Sequence, residues 1–217
     1  MSIWAIVPMK SLQFGKSRLS DGLSREKRST LSLYMFFNVL NAVIPVLGAR
    51  HVVVVSKDAK ILSVARNLRL HVLRDSRAGD LNAALRQGTA YAMSRGAKGT
   101  LVVFGDLPFV RAGEIVQMIK TARNRRCVIV SPDRAGTGTN ALFVSPPDTI
   151  TFRFGPNSFR KHKSEALSLR RQWSVFRSVG LADDVDHLED VKALVATVPV
   201  LENLINSKAV PRRPRRD

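Results

Sequence analysis

The feature that most constrains the fold of this chain is the alternation of short apolar runs with longer amphipathic stretches. The apolar runs lie at 3–8, 51–56, 70–75, 100–108 and 126–132. Between them, apolar residues recur at the spacing of a helix, first over residues 24–44 with Ser24 as the opening residue. Strands that alternate with helices predict an α/β fold, with a mainly parallel sheet and helices on both faces. The run 100–108 is continuously apolar, which favours a strand covered on both sides.

Length and composition predict one domain. The 217 residues, 45% of them hydrophobic, can bury the core of a single α/β domain, which we place at 1–206, followed by a basic disordered tail at 207–217. The N-terminal apolar stretch is too short for a secretory signal, and no run of about 18 apolar residues occurs. We therefore expect no membrane association and a cytoplasmic location. The single cysteine, Cys127, lies in an apolar run and is predicted to be a core residue.

The charge is the strongest signal in the composition. Against 35 basic residues stand 17 acidic ones, a net charge of +18, which is common in proteins that bind polyanions. The alternative is a solvated basic surface. Aromatic residues make up only 6% of the chain and are not interleaved with the basic ones, unlike a platform on which single strands stack. Specific nucleic-acid binding is therefore not expected.

Ligands of such sheets bind beyond the carboxyl ends of the strands, and basic residues crowd the first loop that meets this condition. Lys10, Lys16 and Arg18 follow the run 3–8 directly, where cations and main-chain N–H groups can bind a triphosphate. The loop matches neither the Walker pattern nor the dinucleotide pattern. By itself it is equally consistent with a solvated basic loop.

Three aspartates form a candidate site for Mg²⁺. Asp106 ends the strongly apolar strand predicted within 100–108. Asp184 and Asp186 are two residues apart in an extended segment, so that their side chains point the same way. Each has an ordinary alternative. Asp106 can be a turn residue before Pro108, and Asp186 with Glu189 matches a capping box at the start of a helix.

Two loops later in the chain are candidates for binding a small anion. The segment "AGTGTN" offers glycines, a hydroxyl on Thr139 and an amide on Asn140. In "FGPNSF", Gly155 and Ser158 precede a predicted helix over 157–171, whose first N–H groups favour negative charge. The alternative is a tight turn between strands plus an ordinary helix cap. Beyond these loops, the sequence predicts a strand at 173–179 and a helix from near His187.

Six segments, in this order and spacing, resemble the 2-phospho-L-lactate guanylyltransferase family of coenzyme F-420 biosynthesis. They are "PMKSLQFGKSRLS", "DLNAALRQG", "FGDLP", "SPDRAGTGTNALF", "FGPNSF" and "DDVDHLEDV". The resemblance covers residues 3–192. It implies a GT-A-like (Rossmann-like) nucleotidyltransferase fold, in which the phosphate of a three-carbon acid attacks the α-phosphorus of GTP and pyrophosphate leaves.

The resemblance also implies residue roles and partners. Lys10, Lys16 and Arg18 are assigned to catalysis, and Asp106, Asp184 and Asp186 to Mg²⁺. Nucleotide contacts are assigned to Pro8, Lys10, Lys16, Leu81, Asn82 and Gly105, and acceptor contacts to Thr139, Asn140, Gly155 and Ser158. The acceptor is 2-phospho-L-lactate, phosphoenolpyruvate or 3-phosphoglycerate, and the product passes to a downstream transferase. Independently of the resemblance, we expect a homodimer.

The chain departs from the family pattern at three places. Ser17 stands where many members have threonine, "DHLED" replaces "DTPED", and Asp80 replaces a glycine before Leu81. The last change puts the nucleotide contacts of Leu81 and Asn82 in question. Two alternatives stay open: a nucleotidyltransferase of the same fold with another nucleotide or a sugar-phosphate acceptor, or a basic nucleic-acid-binding protein on an inactive fold.

Overall fold

The computed structural model describes residues 2–12, 15–75, 80–122 and 126–206. The predicted tail at 207–217 lies outside these residues. The strands are β1 (Ile3–Met9), β2 (Val52–Ser56), β3 (His71–Arg74), β4 (Gly99–Val103), β5 (Cys127–Pro132), β6 (Thr139–Ser145) and β7 (Gln172–Val175). The α-helices are α1 (Arg25–Leu47), α2 (Ala59–Asn67), α3 (Leu81–Met93), α4 (Ala112–Lys120), α5 (Ser158–Ser168), α6 (Val179–Ala182), α7 (Leu188–Thr197) and α8 (Val200–Asn206).

The strands form one sheet of seven in the order β3-β2-β1-β4-β6-β5-β7. All neighbouring pairs are parallel except those of β6, which runs antiparallel to both β4 and β5. The predicted mainly parallel sheet is confirmed. Because β1, β4 and β5 run the same way, the loops that follow them gather at one edge of the sheet.

Helices cover both faces of the sheet, as predicted. Alternate residues of β1 enter different cores: Ala5 and Val7 pack with α1, α2 and α4, whereas Trp4 and Ile6 pack with α3 and α5. On the second face α3 lies very close to the sheet, since a Cβ at Gly88 would stand 2.8 Å from Cγ2 of Ile6. A third, smaller cluster joins α7 and α8 to α1.

Helix α1 begins where the sequence predicts. Ser24 is its N-cap, and the Ser24 hydroxyl accepts a hydrogen bond from the main-chain N–H of Lys27. By length and composition this helix could cross a membrane, even though the sequence contains no uninterrupted run of about 18 apolar residues. Half of the apolar window is buried inside the protein, with Phe36 and Val43 fully covered. This burial is typical of a core helix.

The last third differs most from the prediction. The strand expected at 173–179 ends at Val175, and the short helix α6 begins at Val179. Helix α8 (Val200–Asn206) was not predicted. It packs against α1, and its buried side chains Leu201 and Ile205 complete the third cluster.

Candidate active site

The loop after β1 is folded back over the edge of the sheet. The main-chain N–H of Gly15 donates to the carbonyl of Ser11 (2.7 Å), and Lys16 adopts a left-handed conformation with φ of 53°. Asp58, the N-cap of α2, fixes the start of the loop: its carboxylate accepts hydrogen bonds from the Ser11 hydroxyl (3.1 Å) and from the Leu12 N–H (2.8 Å). The loop thus presents the Lys16 side chain to the carboxyl end of β4.

The Lys16 ammonium lies between two of the predicted metal ligands. Its Nζ is 2.7 Å from Oδ2 of Asp106 and 2.9 Å from Oδ1 of Asp186. Arg18 also reaches Asp186, with Nη1 3.2 Å from Oδ2, but its side chain is exposed. Three distant parts of the sequence therefore meet at one point. Lys10, in contrast, is exposed, and its positive charge helps to lower the pKa of Asp186.

The electrostatics of this cluster follow from burial and from its neighbours. Burial would lower the pKa of Lys16, but the charges of Asp106 and Asp186 outweigh it and raise that pKa. Burial would also raise the pKa of Asp186, but the nearby cations, Lys16 foremost, prevail and lower it. For Asp184, burial and the negative charges of Asp106 and Asp186 act together and raise its pKa to about 6.

These three carboxylates suit a divalent cation. Oxygen ligands are those that Mg²⁺ prefers. The raised pKa of Asp184 reflects its burial first and the negative charges of Asp106 and Asp186 second, and a bound cation would offset both effects. Among the described residues, no three metal-binding side chains are assembled as a ready cluster. Lys16 stands between Asp106 and Asp186 instead, so that its ammonium supplies the neutralising charge.

The capping interpretation of Asp186 is wrong. The N-cap of α7 is His187, one residue later, so the acidic residue three positions on is Asp190 and not Glu189. Oδ2 of Asp190 accepts hydrogen bonds from the N–H groups of His187 (2.8 Å) and Asp186 (3.1 Å). The Asp186 carboxylate is thus left to face Lys16 and Arg18.

The two predicted acceptor loops lie against each other. The N–H of Phe159, in the first turn of α5, donates to the carbonyl of Thr137 (3.1 Å). Thr139 and Ser158 are both buried, and Gly155 has a φ of 119°, which favours glycine. The Asn140 amide nitrogen donates to the carbonyl of Ala182 (3.1 Å), so this predicted donor is engaged within the fold.

The residues assigned to the nucleotide also make structural contacts. The Asn82 side chain accepts from the N–H of Phe154 (2.8 Å) and donates to its carbonyl (3.1 Å), which ties α3 to the loop that holds Gly155. Asp80 caps α3 by accepting from the N–H of Ala83 (3.0 Å). Leu81 beside it is half-buried. The substitution at position 80 is therefore compatible with the helix.

A side chain at position 105 would not fit unless the neighbouring atoms moved. A Cβ there would be 2.7 Å from the Met9 sulfur and 3.4 Å from the carbonyl oxygen of Pro8. The Gly105 N–H donates to that same carbonyl (3.3 Å). The ends of β1 and β4 are thereby held together directly below Asp106.

An open groove of about 720 Å³ extends from Asn82 and Phe154 between α3 and α5. Its lining carries more basic than acidic side chains: Arg86, Arg153, Arg160 and Lys161 against Asp80 and Glu165. Two of the arginines are paired: Arg86 with Asp80 (3.5 Å) and Arg153 with Glu165 (3.6 Å).

Three positioning contacts were not predicted from the sequence. They are the Asp58 anchor of the first loop, the ion pair of Arg134 with Asp183 (2.9 Å), and the contacts of the buried His162. Arg134 links the loop before β6 to the segment that carries Asp184 and Asp186. In the sequence, Arg134 is recognisable only as a charged residue next to a glycine-rich turn.

Residues 3–197 match the family described as guanylyl transferase CofC like. The chain belongs to this family. Two curated relatives are named phosphoenolpyruvate guanylyltransferase. The protein from Rubrobacter xylanophilus is 38% identical over all of both chains, and that from Sphaerobacter thermophilus is 36% identical over 92% of this chain and 96% of its own.

The solved structures agree on the fold of this CofC-like chain. The 4-diphosphocytidyl-2C-methyl-D-erythritol synthase from Anaerococcus prevotii superimposes with a TM-score of 0.60 over 91% of this chain and 96% of that one, at 9% identity. Such low identity shows the fold alone. The predicted family, the nucleotidyltransferase fold and the guanylyltransferase class of enzyme are therefore confirmed.

Proposed function

We propose that this enzyme transfers GMP from GTP to the phosphate of a three-carbon phospho-acid and releases pyrophosphate, with phosphoenolpyruvate as the first candidate acceptor. The names of its relatives favour that acid over 2-phospho-L-lactate and 3-phosphoglycerate. The observation that carries the proposal is the meeting of Lys16, Asp106 and Asp186 at the carboxyl edge of the sheet. Nucleotidyl transfer needs cations and carboxylates together at such an edge.

The acceptor in this reaction is already an anion, so no strong base is required. The rate depends on holding the acceptor in line with the α-phosphorus and on neutralising the charge that develops. In this proposal Lys16 and Arg18 neutralise that charge, and the exposed Lys10 binds the triphosphate. Pro8 and Gly105 form the base of the proposed site, beneath these basic side chains.

We further propose that Asp106, Asp184 and Asp186 hold Mg²⁺. The ion would supply positive charge to the phosphate oxygens of GTP and of the leaving pyrophosphate. Asp186 keeps Lys16 and Arg18 at the edge of the sheet. Burial and the neighbouring carboxylates raise the pKa of Asp184 to about 6, so a bound cation would stabilise its ionised form most.

The acceptor acid is proposed to lie between the loop ending at Thr139 and the start of α5. Both hydroxyls, of Thr139 and Ser158, are buried there, and Gly155 leaves room for close approach of the main chain. Negative charge is stabilised at the start of a helix such as α5.

The test is a matrix of four nucleotides and three acids. With Mg²⁺ present, mass spectrometry should detect a guanylylated acid from GTP, and most of it from phosphoenolpyruvate. Equal product from ATP, CTP and UTP would overturn the choice of guanine, and a preference for another acid would overturn the choice of acceptor.

We also propose that the product is consumed by a cytoplasmic transferase of coenzyme F-420 biosynthesis.

A further inference from the structure

His162 connects three segments of the proposed acceptor site. It lies on α5, one turn after Ser158, and is fully buried. Its Nε2 is 3.0 Å from the main-chain nitrogen of Arg153, and its Nδ1 is 3.2 Å from Oγ1 of Thr139. The ring also packs edge-on against Phe154, with the centroids 4.7 Å apart. His162 therefore connects α5, on which it lies, to β6 and to the segment that leads to Gly155.

These contacts determine where the imidazole proton resides. A main-chain N–H can only donate, so Nε2 must carry a lone pair to accept from Arg153. A neutral imidazole that accepts at Nε2 has its proton on Nδ1. Burial lowers the pKa of His162 to about 4, so the ring is neutral at neutral pH. The Nδ1–H then donates to Oγ1 of Thr139.

This donation fixes the direction of the Thr139 hydroxyl. The Thr139 oxygen accepts from His162, so its own proton must point away from the ring. Within the described residues, no acceptor for that proton is found. Thr139 is buried, next to the loop that meets the first turn of α5. An anionic oxygen of a bound ligand is the partner that this arrangement fits.

We infer that His162 is a positioning residue that turns the Thr139 O–H toward the anionic group of the acceptor acid. It does not touch the substrate. The inference rests on the proposed function, because it requires that the acceptor bind beside Thr139.

The proton position can be measured without substrate. In ¹⁵N-labelled enzyme, two-bond proton–nitrogen correlations distinguish the two neutral forms of a histidine ring and the charged form. The expected result for His162 at pH 7 is a neutral ring with the proton on Nδ1. A proton on Nε2, or a charged ring, would overturn the inference whatever the enzyme's activity.

Two substitutions separate the two ring contacts. His162→Asn places an amide near the Nδ1 position and can still donate to Thr139, whereas His162→Gln places one near Nε2 and can still accept from Arg153. We expect His162→Gln to raise the KM for the acceptor by about tenfold, the effect of one lost hydrogen bond to a charged group, with the KM for GTP and kcat little changed. In His162→Asn the KM for the acceptor should remain within about threefold of wild type, even if its melting temperature is lower.

Thr139→Val distinguishes failure of the His162 inference from failure of the proposed acceptor site. It should raise the KM for the acceptor, and His162→Gln should add nothing further in that background. If Thr139→Val leaves this KM unchanged, the acceptor does not bind here, and both the acceptor site and the role of His162 are overturned while the transfer reaction itself stands. If Thr139→Val raises it but His162→Gln does not, or if the two effects add fully, only the role of His162 is overturned.

Discussion

Replacing Lys16 by methionine tests the charge cluster most sharply. Lys16→Met keeps a long unbranched side chain but removes the ammonium that lies between Asp106 and Asp186. The Lys16 side chain is only 8% exposed, while the Asp106 and Asp186 side chains are 27% and 40% exposed. The variant therefore leaves two partly buried carboxylates close together, with Asp184 nearby and without the resident cation.

The expected cost lies between two limits. Removing one partner of a fully buried ion pair costs about 3–5 kcal/mol, and an exposed pair contributes at most about 1 kcal/mol. Because both carboxylates retain contact with water, we expect about 2 kcal/mol. In a chain of this size each kcal/mol corresponds to roughly 2–4 °C in melting temperature, so the predicted decrease is about 4–8 °C.

The assay is thermal unfolding followed by circular dichroism at pH 7.5, first with a chelator and then with Mg²⁺. Without Lys16 the buried competing cation is gone, although the exposed Arg18 still contacts Asp186, so Mg²⁺ should raise the melting temperature of Lys16→Met more than that of wild type. Lys10→Met is the matched control. Lys10 lies in the same loop but is exposed, and its replacement should shift the melting temperature by only about 1 °C. An unchanged melting temperature in Lys16→Met, or equal effects of Mg²⁺ on both proteins, would refute the reasoning.

Three further substitutions test other parts of the site. Ser158→Ala should raise the KM for the acceptor by about tenfold in steady-state kinetics and leave the KM for GTP unchanged; the reverse pattern would mean that the two sites have been exchanged. Asp184→Asn should raise the melting temperature of the metal-free protein at pH 7.5, because a carboxyl whose folded pKa is raised to about 6 destabilises the fold when ionised. This gain should shrink as the pH falls through about 6, and a constant gain from pH 8 to pH 5 would contradict the assignment. Asn82→Ala removes two hydrogen bonds to Phe154, so chemical denaturation should show a loss of about 2 kcal/mol, and the KM for the acceptor should rise. A rise in the KM for GTP alone would indicate direct contact with the nucleotide instead.

The sequence predicted the sheet because its evidence is local. Apolar runs such as 51–56 show their burial within a few residues, and the amphipathic stretches between them show the helical period directly. The errors also arise because the prediction uses local sequence alone. Helix α8 owes its place to packing on α1, and β7 ends at Val175 although the apolar pattern continues beyond it. Neither fact is visible in a short window of sequence.

The site residues that follow strand ends could be predicted from the sequence. The residues that are positioned by tertiary contacts could not. Asp106 and Lys16 follow predicted strands, so the rule for parallel sheets places them at the same edge. The cap of α7 was misplaced by one residue, because "DHLE" fits the capping-box pattern, whereas the folded helix uses His187 as N-cap and Asp190 as the acidic partner. Asp58 and His162 hold loops 46 and 23 residues away in sequence, and their roles depend on contacts that only the folded chain creates.

The most direct test of the proposed reaction is ³¹P NMR of the enzyme with GTP, Mg²⁺ and phosphoenolpyruvate. Attack of the acceptor phosphate on the α-phosphorus predicts two coupled doublets from a new P–O–P linkage, together with one equivalent of free pyrophosphate. Formation of GDP, or of GMP and pyrophosphate with the signal of the acceptor unchanged, would contradict guanylyl transfer to the phosphate.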